Sequence, residues 1–269
     1  MSLYKVTAKN IVGGAGRLVW APFGTTPPEK ISDVMTTAEP YDLKGPWKDL
    51  GATKEGIEIS RGFETEEFDV DQLKGPVDTE ITNWTHAINT QLAENTIENR
   101  QLGLIGGPIV ETPPELGTAV ETTGELAVNA TIITFAAAPG ADFKAGGYLN
   151  IGSRVLKINK ISGNSLYLEE PITQAHPAAT KVYPVKSLGT KRIGYGSVSN
   201  IPEIMIANIS QKKDGGLYMA VFRKCKVSGD EKTQTFSKEK RVLPLGLQAF
   251  AVEGVPESEN VYYEIEESR

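Results

Sequence analysis

Two long segments of this chain alternate in character, residue by residue. After Gly56, Ile57, Ile59 and Phe63 fall on one side, with Glu58, Ser60 and Glu64 on the other. In residues 79–92, Trp84, His86, Ile88, Thr90 and Leu92 share one side, while Asn83, Thr85, Ala87, Asn89 and Gln91 share the other. Successive side chains of a strand point to opposite faces, so this period predicts two strands. Lys74-Gly75-Pro76 supplies a turn between them. One face is apolar enough for a core, but the other is polar and small, unlike an ordinary core face. The fold must therefore keep one side of a long strand pair wet.

The rest of the chain reads as mostly β. Ala15-Gly16-Arg17-Leu18-Val19-Trp20-Ala21 is a short strand. Gly24, Pro27 and Pro28 then forbid regular structure, and a long loop runs to about Trp47. The one convincing helix covers 94 to about 105, with Asn95 or Thr96 as its cap and Ile97, Leu102 and Ile105 as its apolar stripe. Gly106-Gly107-Pro108 ends it. Glu111-Thr112-Pro113-Pro114 reads as a rigid hinge, beyond which short strands at 132–135, 148–151, 155–161 and 165–168 are punctuated by glycine turns. We read 112–188 as an inserted small β domain, within a larger domain made of 1–111 and 189–269. Ile204, Ile206 and Ile209 lead into Lys213-Asp214-Gly215-Gly216, a hairpin signal, and out through Leu217, Met219 and Val221. The last strand expected is 242–252.

Catalytic and metal chemistries are starved of residues. The sole cysteine, Cys225, excludes an intrachain disulfide, and His86 and His176 are the only histidines. Both histidines read as packing or turn residues. Lys224 and Lys226 would lower the thiol pKa of Cys225 if it were exposed, but no His and Asp partners stand near it in sequence. Gly13-Gly14-Ala15-Gly16 lacks the lysine and the following helix of a phosphate loop. Asp69 and Asp71 lack the glycine-containing loop of a calcium site and read as a solvated acidic edge. No enzyme, cofactor or metal is expected. No run of residues is long and apolar enough for a membrane span, and the expected compartment is a cytoplasm.

Charge is blocked rather than mixed. The net charge is −6, which argues against a surface that grips nucleic acid. Residues 54–71 hold Glu55, Glu58, Glu64, Glu66, Glu67, Asp69 and Asp71 against Lys54 and Arg61. Residues 212–241 hold nine bases against Asp214, Asp230, Glu231 and Glu239. Such blocks are solvated faces, or else complementary surfaces on copies that stack.

The flanks of the insert resemble the tail tube (major tail) proteins of long-tailed bacteriophages. The resemblance is carried by 13–21 followed by Gly24-Thr25-Thr26-Pro27-Pro28, by Trp47-Lys48-Asp49-Leu50-Gly51-Ala52-Thr53-Lys54-Glu55-Gly56-Ile57, by 92–99, and by 236–251. It covers about two thirds of the chain. Residues 146–152, Ile161-Ser162-Gly163-Asn164-Ser165-Leu166 and Ala175-His176-Pro177 look like a small β module inserted in some phage structural proteins. The resemblance implies a β-sandwich or barrel tail-tube fold with one flanking α-helix, carrying that module. It also implies homo-hexameric rings stacked into a tube, partnered by other tail proteins and passing DNA without specific binding or membrane contact. The implied location is the virion tail, assembled in the host cytoplasm.

On that reading the lumen side of the strand pair is assigned to Asn83, Thr85, Asn89, Gln91, Glu58 and Glu64. The expected ring-to-ring contacts are Lys232, Lys238, Lys240 and Arg241 with Glu66 and Asp69, together with the 22–46 loop. Three alternatives stay open: a binding module whose insert contacts a host surface, a minor tail component, and the inner tube of a contractile or gene-transfer particle.

Overall fold

The computed structural model describes Gly14, residues 16–213, 215–229 and 231–234, Lys238, and residues 240–267. Its strands, in chain order, are β1 (Arg17–Pro22), β2 (Lys48–Asp49), β3 (Thr53–Asp69), β4 (Pro76–Leu92), β5 (Val110–Thr112), β6 (Glu115–Leu116), β7 (Val120–Glu121), β8 (Ile132–Thr134) and β9 (Tyr148–Ile151). They continue with β10 (Arg154–Ser162), β11 (Ser165–Leu168), β12 (Lys181–Ser187), β13 (Thr190–Arg192), β14 (Ile204–Gln211), β15 (Leu217–Val227), β16 (Leu243–Ala249) and β17 (Tyr262–Glu266). Among the described residues a single α-helix, α1 (Ile97–Gly103), interrupts them. The chain divides into two compact units, one made of 1–109 and 193–269 and the other of 110–192.

The larger unit is built on one antiparallel sheet in the order β2-β1-β14-β15-β16-β4-β3, with β17 also paired to β15. Its central strands are apolar on both sides because both sides are covered. Leu18, Ile204, Ile206, Ala220 and Phe222 point into a first core with Leu92 of β4, Leu243 and Leu245 of β16 and Leu102 of α1. The sheet thus curls until its two ends share one core. Val19, Ala21, Met205, Ala207, Met219 and Val221 point the other way, onto Ile31, Val34, Met35 and Trp47 of the long loop. Arg17 ties that loop down, through Asp49 at 2.7 Å and the Tyr41 carbonyl at 2.6 Å.

β15 makes the curl possible. Its outer edge pairs with β17 over Tyr218–Phe222 and with β16 over Cys225–Val227. Between these stretches a bulge sets Ile204 opposite Cys225 but Ile206 opposite Phe222, so Phe222 and Cys225 both face the first core. Bulges of this kind bend a strand and let a sheet change direction.

α1 is shorter than its sequence pattern. Thr96 caps it, accepting from the Asn99 amide at 3.1 Å. Glu94 is held outside the helix, its carboxylate accepting from the Ala52 amide at 3.0 Å, while Asn99 donates to the carbonyls of Leu50 and Glu94. The helix closes with Ile105 at φ 53° and the Gly106 amide reaching back to the Gln101 carbonyl at 2.8 Å, a left-handed C-terminal cap.

The smaller unit has a sheet in the order β6-β12-β9-β10-β11-β8, with β7 also on β12, and a separate β5–β13 pair. Its core, from Leu126 to Val182, includes Ile133, Phe135, Phe143, Leu149, Leu156 and Leu166. None of these residues belongs to either core of the larger unit.

Candidate functional site

The β3–β4 hairpin is the feature with unusual surface chemistry. It pairs from Thr53 opposite Leu92 to Asp69 opposite Pro76. β16 covers the other edge of β4 only from Leu92 to His86. Among the described residues, β4 outward of His86 has β3 alone as a neighbour, and β3 has β4 alone along its whole length. The hairpin therefore has an inner half rooted in the sheet and an outer half with two open edges.

All six lumen candidates come to one side of it. Glu58 stands opposite Asn89, Glu64 opposite Asn83, Thr85 opposite Gly62, and Gln91 opposite Lys54. Pro244, Gly246 and Gln248 of β16 extend the same side. Near the root, Glu55 and Gly56 take φ of 67° and 82° at a register slip, and Gln91 Nε2 donates to the Glu55 carboxylate at 2.9 Å. Further out Glu66 faces Glu80 and Phe68 faces Asp78. Glu66 and Glu80 are like charges set directly opposite, an arrangement unfavourable in an isolated pair of strands.

The reverse side carries most of the large apolar residues, with Arg61, Thr65, Glu67 and Thr79 among them, and its outer half is uncovered among the described residues, while exposed Phe68 falls on the acidic side. A second register slip after Glu64 makes Thr82 the extra residue, which brings Ile81 to the side of Trp84 and Phe63. Phe63, Ile81, Trp84 and Val77 of the outer half are exposed, and in the inner half so is Ile59 on β3, opposite buried Ile88. The rings form a continuous series: Phe63 on Trp84 at 5.3 Å, Trp84 on His86 at 6.2 Å, His86 on Tyr262 at 5.6 Å and Tyr262 on buried Phe222 at 4.9 Å. Arg61 lies over Trp84 at 4.0 Å. The sequence reading counts Arg61 only among the charges of 54–71 and leaves Tyr262 out; the alternation in Val261-Tyr262-Tyr263-Glu264-Ile265-Glu266 is the available signal for β17.

The ring-contact candidates sort to opposite ends of the hairpin. Glu66 and Asp69 lie in the outer half, whereas Lys232, Lys238, Lys240 and Arg241 lie in the segment between β15 and β16, which enters at the root where Leu243 pairs with Leu92. Root and tip are roughly 50 Å apart along an extended strand of this length. Lys232 donates to the Ser228 carbonyl. Of the Gly13-Gly14-Ala15-Gly16 segment, Gly13 and Ala15 lie outside the described residues.

Elsewhere, Cys225 is fully buried, and burial pushes its thiol up to about 12. Its flanking lysines point away, both ammonium groups sitting 3.0 Å from the Glu203 carboxylate. Among the described residues no group of three His, Cys, Asp or Glu side chains is placed to hold a metal ion. Nor is any described helix long and apolar enough to cross a membrane. A groove of about 560 Å³ beside α1 is lined by Trp20, Leu50, Leu102 and Ile204, with Asp49, Glu94 and Glu98 at its polar margin. No protein-family model matches the chain, and no curated protein matches it either.

Proposed function

We propose that the chain is a virion structural protein, a tail tube subunit that self-assembles into stacked hexameric rings around a channel for DNA. The observation that carries this reading is the outer β3–β4 hairpin, which sets Glu64, Glu66, Asp78 and Glu80 on one side and the exposed Phe63, Ile81, Trp84 and Val77 on the other, and has both edges open among the described residues. A monomer gains nothing from exposing two strand edges and a row of large apolar side chains; copies that pair edge to edge cover both. In such a ring the Glu58, Glu64, Asn83, Thr85, Asn89 and Gln91 side lines the channel. A wall carrying carboxylates and amides repels phosphates, so DNA slides through without sticking. The acidic outer half and the basic segment at the root give one copy complementary ends for stacking on the next. The protein works as a conduit and needs no catalytic site for it.

The test is negative-stain electron microscopy with light scattering as concentration and salt are raised. Tubes with a central channel are expected, and a Phe63→Ser/Trp84→Ser variant is expected to stay monomeric with an unchanged circular dichroism spectrum. Monomers under every condition, with no tubes in lysates carrying the protein, would sink the reading.

One observation favours a second role alongside it. The 110–192 unit has its own core, which suits a separable module that contacts a host surface. Binding of the isolated unit to host cells or a glycan array tests this role, and blank results retire it. Particle type, whether a phage tail or a contractile or gene-transfer tube, is decided by the particle from which the protein is recovered.

A further inference from the structure

His86 sits where the hairpin leaves its sheet. It is the outermost residue of β4 paired to β16, through Ala249, and it faces Arg61 across the β3–β4 pair. It is 5% exposed. Its ring lies between Trp84, which belongs to the outer half, and Tyr262, which is anchored on Phe222 in the core. The imidazole is thus the middle link of a side-chain path from the core to the open end of the hairpin. A cleft of about 770 Å³ runs beside it, between residues 81–86 and the 257–264 segment.

The charges around this link come from few elements. From β3 there is Arg61, already over the Trp84 ring. The adjacent positions on its own side of β4, Trp84 and Ile88, carry none, and β16 offers Ala249 and Gln248. The 257–264 segment brings Glu257, Tyr262, Tyr263 and Glu264 to the cleft, while Glu259 is held by Arg223 at 3.0 Å.

We propose that His86 is an acid-operated latch: neutral, it seats between Trp84 and Tyr262 and holds the outer hairpin to the body; charged, it leaves the stack and frees the arm. A buried imidazolium loses its hydration, and here it would also stand next to the Arg61 guanidinium. Both effects hold the His86 pKa below its ordinary 6.5, burial first and Arg61 second. The sign follows from linkage. Above 6.5 the ring is neutral whether latched or released, and the latch has its full strength. As pH falls below 6.5 the released form takes up the proton first, and the latch weakens until the latched form is protonated as well.

The latch acts within one subunit and is read on monomers, so it stands or falls separately from tube formation. The chain has two histidines, and His176→Gln identifies which ring proton signal belongs to His86. Exposure of the indole is followed by acrylamide quenching, taken as the difference between the full chain and a Trp84→Phe variant. The expected result is a His86 midpoint below 6.5 with Trp84 quenching rising at the same midpoint. Arg61→Gln is expected to move both midpoints upward together, and His86→Phe to abolish the quenching step. A His86 midpoint at or above 6.5, quenching that does not track it, or a step that survives His86→Phe would overturn the proposal. Should His86→Phe fail to fold, the coincidence of the two midpoints and their joint shift in Arg61→Gln decide it.

Discussion

Ile88 and Leu92, in the inner half of the β3–β4 hairpin, are 1% and 0% exposed, while Phe63 and Trp84, on the same side of the same pair of strands, are 59% and 42% exposed. Apart from the bulge at Thr82, both halves alternate, and both carry mostly polar residues on the Glu58–Glu64 side. The difference lies in what stands beside them. The inner half has β16 along its edge and the curled sheet above its apolar side; the outer half has neither among the described residues. Alternation in a sequence therefore states which side wants cover, and only the tertiary surroundings state whether one chain can supply it.

Stability measurements break the comparison most sharply. Phe222 is fully buried and carries the inner end of the ring series, so Phe222→Ala is expected to cost about 3–5 kcal/mol in urea denaturation. Phe63→Ala removes a similar ring from the outer half and is expected to change monomer stability by no more than about 0.5 kcal/mol, while abolishing tubes. Equal costs for the two substitutions would mean that the outer half is already covered in the monomer, and the comparison would fail.

The next effect concerns the link between the inner sheet and α1. Gly51 has φ 80°, and a Cβ there would lie 2.4 Å from the Glu94 carboxyl carbon. Gly51→Ala must displace the carboxylate that receives the Ala52 amide, and it adds backbone strain of roughly 1–3 kcal/mol. A fall in the thermal midpoint is expected, with the hairpin's own Trp84 signal unchanged. A smaller effect of opposite sign is expected in the outer half. Glu80→Lys turns the like-charge pair with Glu66 into an opposite-charge pair, and slower amide exchange across residues 64–68 is the result to look for.

How much of this was legible beforehand follows the same division. The alternation of residues 56–92 named both strands and put all six lumen candidates on one side, because side-chain direction in a strand is local. The bulge at Thr82 was not readable, since nothing in Ile81-Thr82-Asn83 distinguishes an extra residue from a paired one. α1 formed over Ile97–Gly103 rather than 94–105 because Glu94 and Asn99 are committed to Ala52 and Leu50, partners more than forty residues away in sequence. β12 escaped notice because of Pro184. It is tolerated there because its carbonyl accepts from the Gly117 amide, so its nitrogen faces the β6–β7 edge, where β7 pairs only with Lys181 and Val182 and β6 only with Val185 and Ser187, and not β9 on the other edge. The proposed partner of the hairpin's outer half is a second copy, which no reading of one chain's own contacts supplies.

Cys225 gives the smallest effect at neutral pH and still separates the halves. In sequence it stands between two lysines, a setting that would activate an exposed thiol. In the sheet its side chain turns into the first core while Lys224 and Lys226 turn out to Glu203, so burial alone governs it and raises its pKa to about 12. The folded protein is expected to resist iodoacetamide under conditions where the urea-unfolded chain alkylates completely. Because the folded pKa is raised, the thiol costs no stability below its ordinary value of 9.0; above it the unfolded chain ionises first, and stability falls as pH rises towards 12. A cysteine placed at Phe63 in a Cys225→Ala background is expected to label at once in the monomer and to become protected only on assembly. Rapid labelling of Cys225 itself would show that the inner half opens as readily as the outer, and the contrast between the two halves would no longer hold.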